Sequence, residues 1–210
     1  MDELVEQTRE VRAMFFQQEA QLMAALAQEQ HPALLYIGCA DSRIWPSHIL
    51  DDHPGTVFVT RNIANIVPPY SALEQGDATV AAVLEYAVLH LKVADIVLCG
   101  HSNCGGMHAL AHRDALSPGL RQWLRYAEAA PARMPDDLPE AAQLDALIEA
   151  NVLLQVEHLR TYPFIAEAEQ AGTLRLHPWV YDIPTERVRA YEADVGCFVP
   201  EPALPEPRGA

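Results

Sequence analysis

A chain of 210 residues with 50 % hydrophobic residues is the size of one large domain and carries enough apolar material for a single core. Its 29 acidic side chains against 14 Lys and Arg leave a formal net charge of −15, which excludes the basic footprint of a nucleic-acid or anionic-membrane binder and points to a small-molecule ligand. Four cysteines are too few for a disulfide scaffold, no apolar run reaches about 18 residues, and the acidic start Met1-Asp2-Glu3 lacks a signal-peptide pattern, so the expectation is a cytoplasmic protein with metal-binding, catalytic or buried thiols.

From Leu4 to Gln28 the residues Val5, Val11, Met14, Phe15, Leu22 and Met23 recur at roughly helical spacing in a stretch rich in Ala, Gln, Glu and Leu. This predicts a helical arm over 1–30 that covers its own domain or lies across a second subunit, with Pro32 ending it. Ala33 to Gly38 reads as a first buried strand, which delivers Cys39-Ala40-Asp41-Ser42-Arg43 at its carboxyl end. Thr56 to Thr60 reads as a second strand, leading into Arg61-Asn62-Ile63-Ala64-Asn65 and the break at Pro68-Pro69. Val80, Val83, Leu84, Ala87, Val88 and Leu91 predict one long helix from Ala72 to Leu91. A third apolar run, Asp95 to Gly100, then enters His101-Ser102-Asn103-Cys104-Gly105-Gly106.

Helices are expected over 120–130 and 141–159, either side of a Pro- and charge-rich loop at 131–139, with Pro163 starting or interrupting the next short one. Leu174 to His177 and Trp179 to Asp182 read as a strand pair or one broken strand, with Pro178 favouring an edge or a bulge. The expected organisation is one domain over 1–200 with a disordered Pro-rich tail at 201–210. The alternation of strands and helices predicts an α/β fold with a mostly parallel sheet of order 2-1-3-4 flanked by helices. In that order the crevice between the first and third strands is a topological switch point, where open α/β sheets place their ligands.

Cys39 falls on one lip of this crevice and His101 and Cys104 on the other. Two sulfurs and one imidazole nitrogen with a fourth position open form a catalytic zinc pattern. Any one of these residues alone reads more simply as a buried small hydrophobe or a helix cap; the three together at two strand ends do not. Cys99, inside the apolar strand, and Cys197, without partner spacing, are read as structural, and the remaining histidines as surface or satisfied core residues. Asp41 and Arg43 follow Cys39 at two-residue steps, so an Arg that holds a carboxylate bidentately would keep Asp41 ionised beside the metal. Away from such a metal, the same pair would be a surface ion pair of little consequence.

Cys39-x-Asp41-x-Arg43 with His101-x-x-Cys104-Gly-Gly resembles the β-class carbonic anhydrases, and Arg61-Asn62-Ile63-Ala64-Asn65, Glu85-Tyr86-Ala87-Val88 and Trp179-Val180-Tyr181-Asp182 extend the match over about Gln30 to Asp182. The resemblance implies Cys39, His101 and Cys104 as zinc ligands and Asp41 with Arg43 as the dyad beside them. Pro46-Ser47-His48-Ile49-Leu50-Asp51, Val67-Pro68-Pro69-Tyr70 and Leu89-His90-Leu91-Lys92-Val93 are most similar to the plant-type branch, whose carbon dioxide pocket matches Gln30, Phe58, Ile63 and Tyr86, part of it from across a dimer interface. The regulated branch binds bicarbonate among Trp, Arg and Tyr; the matching positions here are Tyr36, Arg61 and Tyr181, with Gly38 kept. Ala40 stands where Ser is usual, and Pro178 replaces a usual Gly.

The implied activity is zinc-dependent reversible hydration of carbon dioxide to bicarbonate by a homodimer or larger homo-oligomer, with Gln30 holding the substrate oxygen and Asp41 resting on Arg43 rather than on the metal. Two rivals share the site: hydrolysis of a related heteroallene such as carbon disulfide or carbonyl sulfide, and a non-catalytic zinc or bicarbonate-binding module. A cysteine phosphatase is discounted, because its loop needs Arg six positions after Cys39, where Trp45 stands.

Overall fold

The computed structural model describes residues 2–50, 53–111 and 116–200 of the chain. Four parallel strands form the centre: β1 (Leu34–Cys39), β2 (Val57–Asn62), β3 (Asp95–His101) and β4 (Arg175–Asp182). The apolar runs of β1 and β3 do not alternate with polar residues because both of their faces are covered, and every residue of β3 after Asp95 is buried. The sheet continues through an antiparallel hairpin, β5 (Arg187–Glu192) and β6 (Cys197–Pro200), to give the order β2-β1-β3-β4-β5-β6. The expected 2-1-3-4 arrangement is its parallel part.

Helices α1 (Asp2–Leu26) and α2 (Pro46–Ile49) flank β1 in sequence, and α3 (Thr79–Glu85) precedes β3. Between β3 and β4 run α4 (Gly105–Ala111), α5 (Pro118–Leu124), the long α6 (Glu140–Arg160) and α7 (Pro163–Gln170), the last opened by a proline at its first turn. One face of the sheet, carrying Leu35, Ile37, Ile96, Leu98 and Val180, packs with α3, α6 and α7 into the main core. The other face carries Tyr36, Val97, Cys99, Trp179 and Tyr181 against Ile44 and Leu50 in a smaller cluster.

Several expectations are corrected. The helix expected from Ala72 begins later: Tyr70–Gln75 is a 3₁₀ turn closed by Gly76 in the left-handed region (φ 82°), and α3 passes at Tyr86 into a π-helical turn that ends at His90. The helix expected over 120–130 is α5 followed by short 3₁₀ turns. Strand β4 is continuous and lies inside the sheet, so Pro178 marks neither an edge strand nor a break. Arg175 N–H donates to Ala94 and Tyr181 C=O accepts from Ser102, so the odd-numbered residues of β4 face β3. The nitrogen of Pro178 therefore faces the other way, toward β5, and the missing N–H falls where the β4–β5 pairing ends at Trp179. Cys197 is exposed on β6 and holds no core position. In α1, Met14, Leu22 and Met23 are exposed, while the side chains of Val5, Val11 and Phe15 and the whole tail at 201–210 lie outside the described residues.

Candidate metal centre

Parallel pairing brings the carboxyl ends of β1 and β3 to the same edge of the sheet, with Gly38 level with Cys99. Cys39 is the last residue of β1, His101 the last of β3, and Cys104 directly precedes α4. Asn103 takes the left-handed region (φ 54°), a conformation Asn tolerates better than most residues, and this turns the chain so that Cys104 doubles back toward the strand. The two sulfurs and an imidazole nitrogen lie within 4.8 Å of one another, and all three residues are buried.

The donor chemistry of this cluster fits a cation. His101 Nδ1 is 2.9 Å from the Ser102 carbonyl, which can only accept, so Nδ1 carries the proton and Nε2 holds a free lone pair. Nε2 is buried and finds no hydrogen-bond partner among the described residues. A hydrogen bond from the Cys104 thiol outweighs burial and lowers the Cys39 thiol to about 4, with smaller lowering contributions from His101 and from the backbone of Asp41 and Ala64. The same contact and burial push the Cys104 thiol up, although the N–H groups of Gly106 and Met107 face it. Two buried sulfurs this close become thiolates together only around a positive ion. Two thiolates and one oriented imidazole are a zinc donor set with a fourth position left for solvent or substrate.

At the rim of the cluster, Asp41 Oδ1 accepts hydrogen bonds from Arg43 N (3.0 Å) and Nε (2.9 Å), and Oδ2 accepts one from Nη2 (2.7 Å). These bonds hold the Asp41 carboxyl well below the ordinary carboxylate range. Arg43 Nη2 also donates to the Asn103 carbonyl at 3.1 Å, which ties the Cys39 loop to the His101 loop. Asp41 Oδ2 stands 4.0 Å from His101 Nε2. Arg61 donates through Nε to the Cys39 carbonyl (2.8 Å) and through Nη2 to the Asp41 carbonyl (2.6 Å). Its guanidinium thus clamps the backbone of the Cys39–Asp41 loop, a role separate from its match to a pocket with Tyr36 and Tyr181. Those two tyrosines are buried in the smaller cluster, with the Tyr36 phenol beside Cys99.

The residues matched to a substrate pocket are divided. Ile63 packs close to Gly106, next to Cys104. Phe58 is level with Leu35 in the sheet register whereas Cys39 is level with Asn62, so the Phe58–Tyr86 ring pair lies four residues, roughly 13 Å, back along the strands. Gln30 is exposed and precedes β1, at the end of that strand opposite Cys39. A single chain does not bring Gln30, Phe58 and Tyr86 to its own cluster. Asn151 and Gln155 on α6, which sequence reasoning passed over, are fully buried and hold the segment after Arg61-Asn62; the available signal was two amides four residues apart on an otherwise apolar helical face.

The carbonic anhydrase family model matches residues 34–188. A carbonic anhydrase of Pseudomonas aeruginosa is 45 % identical over 193 residues, covering 90 % of this chain and 86 % of the relative. Carbonic anhydrase 1 of Escherichia coli O157:H7 is 39 % identical over 98 % of this chain and 94 % of its own length. Among solved structures, the β-carbonic anhydrase CcaA superposes with a TM-score of 0.89 at 33 % identity over 97 % of this chain and 92 % of that one. A tetrameric β-carbonic anhydrase of the ascomycete Sordaria macrospora superposes with a TM-score of 0.80, also at 33 % identity, over 94 % and 98 % of the two chains. With the sheet order, the buried Cys-His-Cys cluster and these relationships in agreement, the chain belongs to the β-class carbonic anhydrases, enzymes of reversible carbon dioxide hydration.

Proposed function

We propose that this chain hydrates carbon dioxide at a zinc ion held by Cys39, His101 and Cys104, with Asp41 as the group that orients the attacking water. The observation that carries the reading is the convergence of three buried ligand atoms within 4.8 Å beside a carboxylate pinned by an arginine. Zinc supplies the Lewis acidity that makes water a nucleophile near neutral pH. Asp41, kept ionised by Arg43, would serve as the acceptor that orients the attacking water. Arg61 and the Arg43–Asn103 bond fix the two loops so that this carboxylate does not drift. His101 keeps one tautomer through Ser102. Ile63, 43 % exposed beside the cluster, offers the apolar wall that a nonpolar substrate needs. Two anionic ligands leave less positive charge on the ion than three imidazoles would, so activity is expected to rise toward alkaline pH.

The working unit is a homodimer or a larger assembly. The Phe58–Tyr86 pair and Gln30 stand too far along the strands to serve the cluster of their own chain, and Ile63, Tyr86 and Leu89 are apolar side chains left exposed. The described cysteines are all free thiols and no described helix is long and apolar enough to cross a membrane, which suits the cytoplasm. Stopped-flow hydration of carbon dioxide with elemental analysis tests the reading. The expected result is one zinc per chain and measurable hydration, both lost in Cys104→Ser; full zinc and full activity in that variant would break the assignment.

A further inference from the structure

The ladder between β3 and β4 changes its pattern at the metal centre. Along its length the odd-numbered residues of β4 bond to β3: Arg175 N–H donates to Ala94 C=O at one end, and Ser102 N–H donates to Tyr181 C=O (2.9 Å) at the other. The next step of a parallel ladder would send the Ile183 N–H to the Ser102 carbonyl. The chain does something else. Ile183 N–H donates to the Ser102 hydroxyl oxygen (2.9 Å), and the Ser102 carbonyl lies 2.9 Å from Nδ1 of the preceding residue, His101. A side-chain oxygen has taken the place of a main-chain one, and the main-chain oxygen is released to the imidazole. The exchange matters because the His101 ring is buried and its Nε2 has no hydrogen-bond partner among the described residues, so Nδ1 is the nitrogen through which a hydrogen bond orients the ring. Past Ser102 the chain leaves the sheet through Asn103, which takes the left-handed region as Ala64 (φ 63°) does across Gly106, and whose carbonyl is held by Arg43 Nη2 at 3.1 Å.

We infer that Ser102 is a positioning residue for the metal centre: its hydroxyl occupies the Ile183 N–H and so leaves the Ser102 carbonyl free to hold His101 in the tautomer and ring orientation that offer Nε2 to the metal. A half-buried main-chain N–H needs a partner. Without the hydroxyl, the acceptor in register with Ile183 is that same carbonyl, and a bond there draws it toward the end of β4 and away from the imidazole. An acceptor on the far nitrogen of a metal-binding histidine fixes the ring and raises its basicity, so weakening it loosens the metal without removing a ligand. The inference rests on the reading of His101 as a ligand, and it adds a control exerted by a hydroxyl that itself bonds to no ligand.

The test uses the full-length protein with nitrogen-15-labelled histidine, loaded with cadmium-113. His101 is the histidine whose Nε2 couples to the metal, and its Nδ1–H proton reports the bond to the carbonyl, resonating downfield and exchanging slowly with water while that bond holds. Ser102→Ala is expected to move this proton upfield, to speed its exchange, and to lower zinc affinity in chelator competition about 10-fold, the low end of the range for groups behind a metal ligand. Ser102→Thr keeps a hydroxyl and should keep both the signal and the affinity. Ile183→Ala keeps the N–H but loses a side chain packed against the smaller cluster, and should lower thermal stability and leave the proton in place. An unmoved proton in Ser102→Ala, or an equal shift in Ser102→Thr or Ile183→Ala, overturns the inference. If Ser102→Ala does not fold, Ser102→Cys decides, because its thiol keeps the shape but accepts only weakly: a smaller upfield shift supports the inference, and an unmoved proton overturns it. Failure of the ligand reading is distinguishable, because no histidine would then couple to cadmium.

Discussion

Gly106 sits in the first turn of α4, two residues past Cys104, and its lack of a side chain decides how closely the metal loop approaches Ala64. A Cβ added there would lie 2.8 Å from the Ala64 Cβ and 3.1 Å from Ile63 Cγ2. Carbon atoms rest at about 3.5–4.0 Å, so Gly106→Ala demands a displacement of roughly 1 Å. The obstacle is a Cβ fixed to backbone, and that backbone is bonded to Trp123 and Asn151, so little of the strain can be relieved by rotation. Overpacking of this kind costs about 1–3 kcal/mol. If about 2 kcal/mol falls on the metal-competent arrangement of the loop, zinc affinity drops about 30-fold. Competition with a chelator and thermal unfolding of the loaded protein measure the two parts of the effect. Ala64→Gly in the same chain removes the opposing Cβ and suits a positive φ, so the double variant should recover most of both losses. Wild-type affinity and melting in Gly106→Ala, or failure of Ala64→Gly to compensate, would refute the packing argument.

Arg43→Ala should leave zinc bound and lower the hydration rate about 10- to 100-fold, the usual effect of removing a group that orients a residue beside a metal; an unchanged rate at all pH values would remove the dyad from the mechanism. At the opposite end of β3, Asp95 accepts from Arg175 through both carboxylate oxygens and from His177; burial pulls its carboxyl up, but the His177 and Arg175 bonds outweigh this and hold it below the ordinary range. A depressed carboxylate stabilises the fold above its unfolded pKa of about 3.9, and that contribution is lost as pH falls through the folded value. Asp95→Asn should therefore flatten the acid limb of the urea midpoint measured from pH 6 to pH 3, and an unaltered limb would show that this cluster contributes nothing. Sedimentation of the full-length protein should give a dimer or larger species at assay concentration, and a fully active monomer would defeat the shared-site arrangement.

The sequence alone was sufficient for the centre of this molecule because the necessary information is local. Apolar runs without alternation identified β1 and β3, and each ends in residues whose chemistry is visible in the chain, Cys39 in one case and His101 with Cys104 in the other. Parallel topology then supplies the long-range step, since strands that run the same way end at the same edge, and Asp41 and Arg43 are close enough in the chain to pair without help. The hairpin β5–β6 was not seen, because Arg187 to Glu192 offers a weak, half-buried alternation, and the turn at Gly76 went unrecognised inside a run of helical spacing. Only the tertiary structure decided what holds the centre in shape. The bonds from Asn151 to Ala64 and from Gln155 to Val67 span 87 and 88 residues, and Arg61 reaches back 22 to the Cys39 carbonyl. Such contacts follow from how α6 lies across the sheet and from a backbone held at positive φ. Periodicity and spacing carry neither, because a buried amide looks the same in a sequence whether it satisfies its own helix or a strained turn from another part of the chain.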